Sequence, residues 1–113
     1  MISKSKPIQS KKIRASAKNE NCTLRIIGAC NNNPETTVLA HHNGAGMGIK
    51  HHDIESCYSC SNCHDWLDGL YSCDPLLNDF TSEQKRNYRD SQFLRASMET
   101  RNKLIQKELI KIL

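Results

Sequence analysis

From Thr81 to the last residue no Pro or Gly interrupts the chain, and Leu94, Met98, Ile105, Leu109 and Ile112 recur at helical spacing. Thr81-Ser82-Glu83-Gln84 opens this stretch with the Thr-x-x-Gln form of a capping box, in which two side chains satisfy amides that a first helical turn leaves over. Glu99 stands four residues before Lys103, a pairing that supports a helix. The pattern predicts one long amphipathic helix over residues 81–113, its stripe packed on the core or on a partner chain in a homodimer. Upstream signals are shorter. Lys11 to Lys18 can form a brief helix. Cys22 to Gly28 reads as a strand, Asn31 to Pro34 as a turn, and Thr36 to Leu39 as a second strand leading into His41. Gly44, Gly46 and Gly48 make a loop with backbone freedom, without the GxGxxG spacing of a nucleotide cradle. Ser61 to about Tyr71 predicts a short helix, broken by Asp74-Pro75.

These elements are thin for a self-supporting core. The chain has 113 residues, 37% of them apolar, with two Phe, three Tyr and one Trp. Such a domain needs support beyond hydrophobic burial, and its six cysteines can supply it as disulfides or as metal ligands. Residues 1–20 hold no apolar run of signal-peptide length, and nothing later reaches the length of a membrane span, so a cytoplasmic protein without membrane contact is expected. Reduced thiols in clusters then point to zinc. The chain divides into a flexible basic arm (1–13), a core (14–80) and the terminal helix (81–113). Residues 1–20 balance to +5, residues 21–80 to −5 and residues 81–113 to +4. Basic segments flanking an acidic centre suit phosphate contact at the edges and a cation in the middle, though basic tails also serve plain solubility.

The acidic centre carries the chemistry. Cys22 and Cys30 stand seven residues apart across the turn, and Cys60-Ser61-Asn62-Cys63 is a CxxC pair. Thiolates from two short chain elements can give zinc its four tetrahedral ligands. Cys57, three residues before Cys60, makes a competing pair. Cys60 with Cys63 is preferred because His64 follows directly, which leaves Cys57 and Cys73 as spare thiols. His64 and Asp68, at i and i+4, share one helix face and can hold one cation together. Asp53 lies between the strands and this helix and can join the set.

The order Cys-x7-Cys, Asn-x-Asn-Pro-Glu-Thr-Thr-Val-Leu-Ala-His, Gly-x-Gly-x-Lys-x-x-Asp and Cys-x-x-Cys-His-Asp-x-x-Asp resembles the YbcO-type prophage nucleases, a branch of the HNH superfamily. The likeness covers roughly residues 14–69. It implies an α+β fold: a small zinc-stabilised ββα-metal (HNH, treble-clef-like) core with a long C-terminal helix. It implies a structural zinc on Cys22, Cys30, Cys60 and Cys63, His41 as general base and Asp53 near the position that orients the base. His64 and Asp68 then bind a catalytic cation, Mg2+ or Mn2+, and Lys50 touches a DNA phosphate. The expected activity is metal-dependent hydrolysis of DNA phosphodiesters in phage or prophage DNA processing. The chain departs from the wider pattern at Ala40, where many HNH enzymes carry a metal-binding Asp or His. A non-catalytic zinc module that binds nucleic acid is the alternative, and a metal-storage or redox cluster a third.

Overall fold

The computed structural model describes residues 10–42 and 53–110. The glycine loop, Lys50 and Ile112 lie outside the described residues. The predicted first helix is present as α1 (Lys11–Ser16). Ser10 caps it, the hydroxyl accepting from the Ile13 N–H at 3.2 Å.

Cys22 to Gly28 is not a strand. Arg25 and Gly28 take the left-handed region, at φ +43° and +83°, and the Ala29 and Cys30 N–H groups both donate to the Ile26 carbonyl. The reason is reach. Eight extended steps would separate Cys22 from Cys30 by about 27 Å, whereas their sulfurs lie within 4.8 Å of each other. A segment that delivers two sulfurs to one point must fold back.

The second predicted strand is real, as β1 (Val38–His41), after a 3-10 turn over Pro34–Thr36. Its antiparallel partner is β2 (Ser56–Ser59), with Val38 opposite Ser59 and His41 opposite Ser56. All four residues of β2 are buried, because its outer edge is also paired. The Thr23 N–H donates to the Tyr58 carbonyl at 2.8 Å, and the Tyr58 N–H donates to Thr100 Oγ1 at 3.1 Å. A buried strand edge must find such partners.

Helix α2 (Ser61–Asp68) leaves the end of β2 at once, with Cys60 as its N-cap. It stops at Gly69, and two 3-10 turns (Leu70–Cys73 and Pro75–Leu77) follow. The Trp66 Nε1–H donates to Asp74 at 2.9 Å and ties the turns to the helix.

The capping box opens α3 (Ser82–Gln106): the Gln84 N–H reaches Thr81 Oγ1 at 3.1 Å, and the Thr81 N–H reaches Gln84 Oε1 at 2.8 Å. The helix is shorter than predicted. Glu108 turns left-handed at φ +61°, and the Leu109 and Ile110 N–H groups fold back onto the Leu104 carbonyl. The predicted stripe is packed only toward its end, where Leu109 lies against the core and Ile105 is half-buried. Leu94 and Met98 are each 57% exposed, whereas Ala96, Ser97, Thr100 and Leu104 are buried. Small and hydroxyl-bearing residues let α3 approach β2 closely enough for Thr100 to bond the strand. Arg95 extends the seam, donating from its guanidinium to the Thr23 carbonyl at 2.8 Å and to that of Leu24 at 2.5 Å. Among the described residues, no helix is long and apolar enough to cross a membrane.

Candidate active site and metal centre

The fold-back after Cys22 and the start of α2 bring four sulfurs together. Those of Cys22, Cys30, Cys60 and Cys63 lie within 4.8 Å of one another, and Cys60 stands 3.9 Å from Cys30. A tetrahedron with metal–sulfur bonds of about 2.3 Å has edges of roughly 3.8 Å. The quartet therefore fits a structural metal ion. Backbone amides aim at these sulfurs: Arg25 N–H at Cys22 (3.4 Å), Ile26 N–H at Cys63 (3.4 Å) and Cys63 N–H at Cys60 (3.3 Å). Such donors favour thiolates. The interaction between the Cys22 and Cys63 side chains is the main reason the Cys22 thiol is held well below its ordinary value, and the same interaction pushes Cys63 up. Cys57 is excluded from the quartet. It is buried in the core, and that burial raises its thiol. Cys73 is exposed.

The second constellation sits at the other end of the ribbon. Asp53 is fully buried, and three groups hold its carboxylate. The Ser10 N–H donates to Oδ2 at 2.6 Å, Arg14 Nε stands 3.1 and 3.2 Å from the two oxygens, and His41 Nε2 lies 3.1 Å from Oδ1. Burial alone would push Asp53 up. The Ser10 amide, Arg14 and His41 outweigh it and hold the carboxyl below its ordinary value. An ionised carboxylate only accepts, so Nε2 of His41 carries a proton, and Nδ1 is the acceptor whenever the ring is neutral. His41 opens onto a groove of about 650 Å³ along α1 and β1.

His64 and Asp68 form the third part, on the exposed side of α2, with Nε2 and Oδ2 3.6 Å apart. That separation suits two ligands of one cation, although Cys22, Cys30, Cys60 and Cys63 are the group of three or more potential ligands that converges among the described residues. The structure thus joins His41 to Asp53, and His64 to Asp68, within one strand–strand–helix unit. Ala40 is buried opposite Cys57 and offers no ligand.

The "Putative nuclease YbcO" family model matches residues 11–107. The chain belongs to the YbcO family. Membership extends past the motifs, which end near residue 69, and takes in α1 and all of α3. Two curated relatives bear the name "Putative nuclease YbcO", one from Escherichia coli (strain K12) and one from Enterobacteria phage 82. Each is 44% identical over 59 residues, half of this chain and 62% of the relative, so the match spans less than two thirds of their length. A solved structure, "Structure of a putative bacteriophage protein from Escherichia coli str. K-12 substr. MG1655", is similar at a TM-score of 0.61 and 29% identity, over 86% of this chain and 100% of that one.

Arg14 and Ser10 escaped the sequence reading. Both act on Asp53 across about 40 residues, a distance at which no spacing rule operates. His42 follows His41 directly and holds the strand end in place. Its Nε2 lies 2.6 Å from Asp90, and its ring meets Phe93 edge-on at 5.2 Å, which pins the end of β1 to α3.

Proposed function

We propose that this YbcO-family chain is a metal-dependent DNA endonuclease of the HNH type, serving phage or prophage DNA processing. The observation that carries the reading is the buried, ionised Asp53 fixing His41 Nε2 beside an open groove. Strand, strand and helix follow in the order of a ββα-metal unit, and the quartet suits a structural zinc that replaces missing core.

His41 Nδ1 takes a proton from water as the oxygen attacks phosphorus, and the ring becomes a cation between the substrate and Asp53. The negative Asp53 stabilises that cation and keeps the ring from turning, while Arg14 and the Ser10 amide keep Asp53 ionised. The bond from phosphorus to the 3′ oxygen breaks, and the leaving alkoxide takes a proton from solvent water, to which His41 afterwards returns the one it accepted. His64 and Asp68 would hold a divalent cation, Mg2+ or Mn2+, which when bound supplies charge neutralisation at the phosphate and the leaving oxygen. Lys50 is assigned to a flanking phosphate on sequence grounds. We assign the chain to the cytoplasm, with residues 14–80 as core and α3 as supporting helix, and restrict the basic arm to the stretch before Ser10, since Ser10 and the buried Ile13 belong to the fold. The exposed Leu94 and Met98 offer a face for a homodimer. Sedimentation that gives only monomer at high concentration removes that last element.

Ala40 favours a second reading, in which the chain binds nucleic acid without cutting it, since its buried methyl group takes a position that binds metal in many HNH enzymes. Supercoiled plasmid separates the two. Nicking by zinc-loaded protein that requires added Mg2+ or Mn2+ and His41 supports the nuclease. Intact plasmid bound by folded protein supports the binding module.

A further inference from the structure

We propose that the groove between α1 and β1 is a DNA-backbone subsite, in which Arg14 and Lys18 take the phosphates flanking the one presented to His41. The inference rests on His41 as the reacting group and extends that reading to how substrate is held. Arg14 and Lys18 line the groove from the α1 side, and Thr37 and His41 line it from the β1 side. Arg14 engages Asp53 through Nε alone, and half of its side chain is exposed. Its η N–H donors therefore remain for a ligand, and their planar fork matches phosphate oxygens. Asp53 grips Arg14 and His41 together, so a phosphate held by the fork keeps a fixed relation to the imidazole. Lys18 stands exposed in the turn that ends α1 and adds a second cation to the same lining.

Thr37 supplies an independent observation. It is 4% exposed, it lines this groove, and its hydroxyl is the buried side-chain oxygen without a hydrogen-bond partner among the described residues. Buried hydroxyls normally find partners. Rotation of the Thr37 side chain toward the groove would let a phosphate oxygen, or a water bridging to one, satisfy it. Glu35 also lines the groove and opposes an anion there.

The test is fluorescence anisotropy of a short labelled DNA duplex titrated with the full, zinc-loaded chain across a range of salt. Lys18→Gln and Arg14→Gln should each weaken binding several-fold and reduce the salt slope by about 1. Lys12→Gln, on α1 but outside the groove lining, should leave the slope unchanged, and Glu35→Gln should tighten binding. Lys18 is exposed, so its variant reports binding even where Arg14→Gln fails to fold. Equal effects at Lys12 and Lys18 would overturn the subsite in favour of a diffuse basic field. Failure of the parent protein to bind DNA, or polyglutamate displacing the duplex as well as unlabelled DNA does, would also overturn it. Cleavage with an unchanged Lys18→Gln slope sinks the subsite alone. The expected slopes without any cleavage sink the nuclease reading alone.

Discussion

Thr100 joins α3 to the buried edge of β2, and replacing it with Val changes chemistry without changing shape. The hydroxyl accepts from the Tyr58 N–H at 3.1 Å, meets Thr23 Oγ1 at 2.9 Å and lies 2.9 Å from the Ala96 carbonyl. Thr100 and Tyr58 are both fully buried, so no water can replace it. Thr23 keeps the Tyr58 carbonyl at 2.9 Å as an acceptor, and Ala96 loses only a secondary bond within the helix. One orphaned amide remains. Its desolvation costs about 1–3 kcal/mol and the lost contact with Thr23 about 1 kcal/mol, giving a net effect of about 2–4 kcal/mol. With a urea slope of about 1.5 kcal/mol/M, the unfolding midpoint falls by about 1.3–2.7 M. Thr100→Ser keeps the hydroxyl and removes a methyl group, which costs about 1 kcal/mol. The polar variant should therefore be the more stable of the two. A Val variant within about 0.5 kcal/mol of the parent, a margin usual for innocuous substitutions, or one more stable than Ser, would refute this account of the seam.

Other consequences concern the metal centre, acid and the cation. Stripping zinc, or Cys63→Ser, should unfold the chain, because a structural zinc contributes on the order of 10–16 kcal/mol against a total stability of about 5–15 kcal/mol. Trp66 fluorescence reads this out, and a native signal without metal would contradict it. Asp53 is held below its ordinary value of 3.8, so its contribution is complete above that pH and is lost as pH falls through the lower folded value. Urea midpoints of the parent and Asp53→Asn should differ between pH 5 and 7 and converge below pH 4. Parallel curves down to pH 3 would contradict the sign. His64→Ala should raise the Mg2+ or Mn2+ concentration needed for cleavage and leave the zinc content at one per chain. An unchanged metal requirement would remove His64 as a ligand.

The local signals in the sequence survived where the chemistry was local. The Thr81 box, the α2 start at Cys60 and the run into His41 each depend on neighbours within four residues, and each appears as read. The cysteine quartet was legible because CxxC spacing fixes one half and metal geometry demands the other. What failed was long-range. Cys22–Gly28 is apolar and β-branched like a strand, yet the sulfurs at its two ends override that propensity and curl it. Ser56–Ser59 carries little β-propensity, with Tyr58 its one strong strand former, and becomes a strand because Thr23, Thr100 and β1 supply its hydrogen bonds. The α3 stripe misled because helical spacing of large apolar residues ranks Leu94 and Met98 above Ala96 and Thr100. The contact with β2 selects small residues instead. Arg14 on Asp53 was illegible for the same reason, being a tertiary pairing between a helix and the residue that leads into β2.

The proposed cleavage depends on His41. Single-turnover cleavage of a labelled duplex by the zinc-loaded chain, with saturating Mg2+ or Mn2+ and binding followed in parallel, tests it most directly. His41→Ala should retain duplex binding and its zinc, and should lose roughly 10²–10⁴-fold in the cleavage rate, the range for removal of a general base. Cleavage at the parent rate by His41→Ala, or no cleavage by a folded parent that binds the duplex, would contradict the central claim.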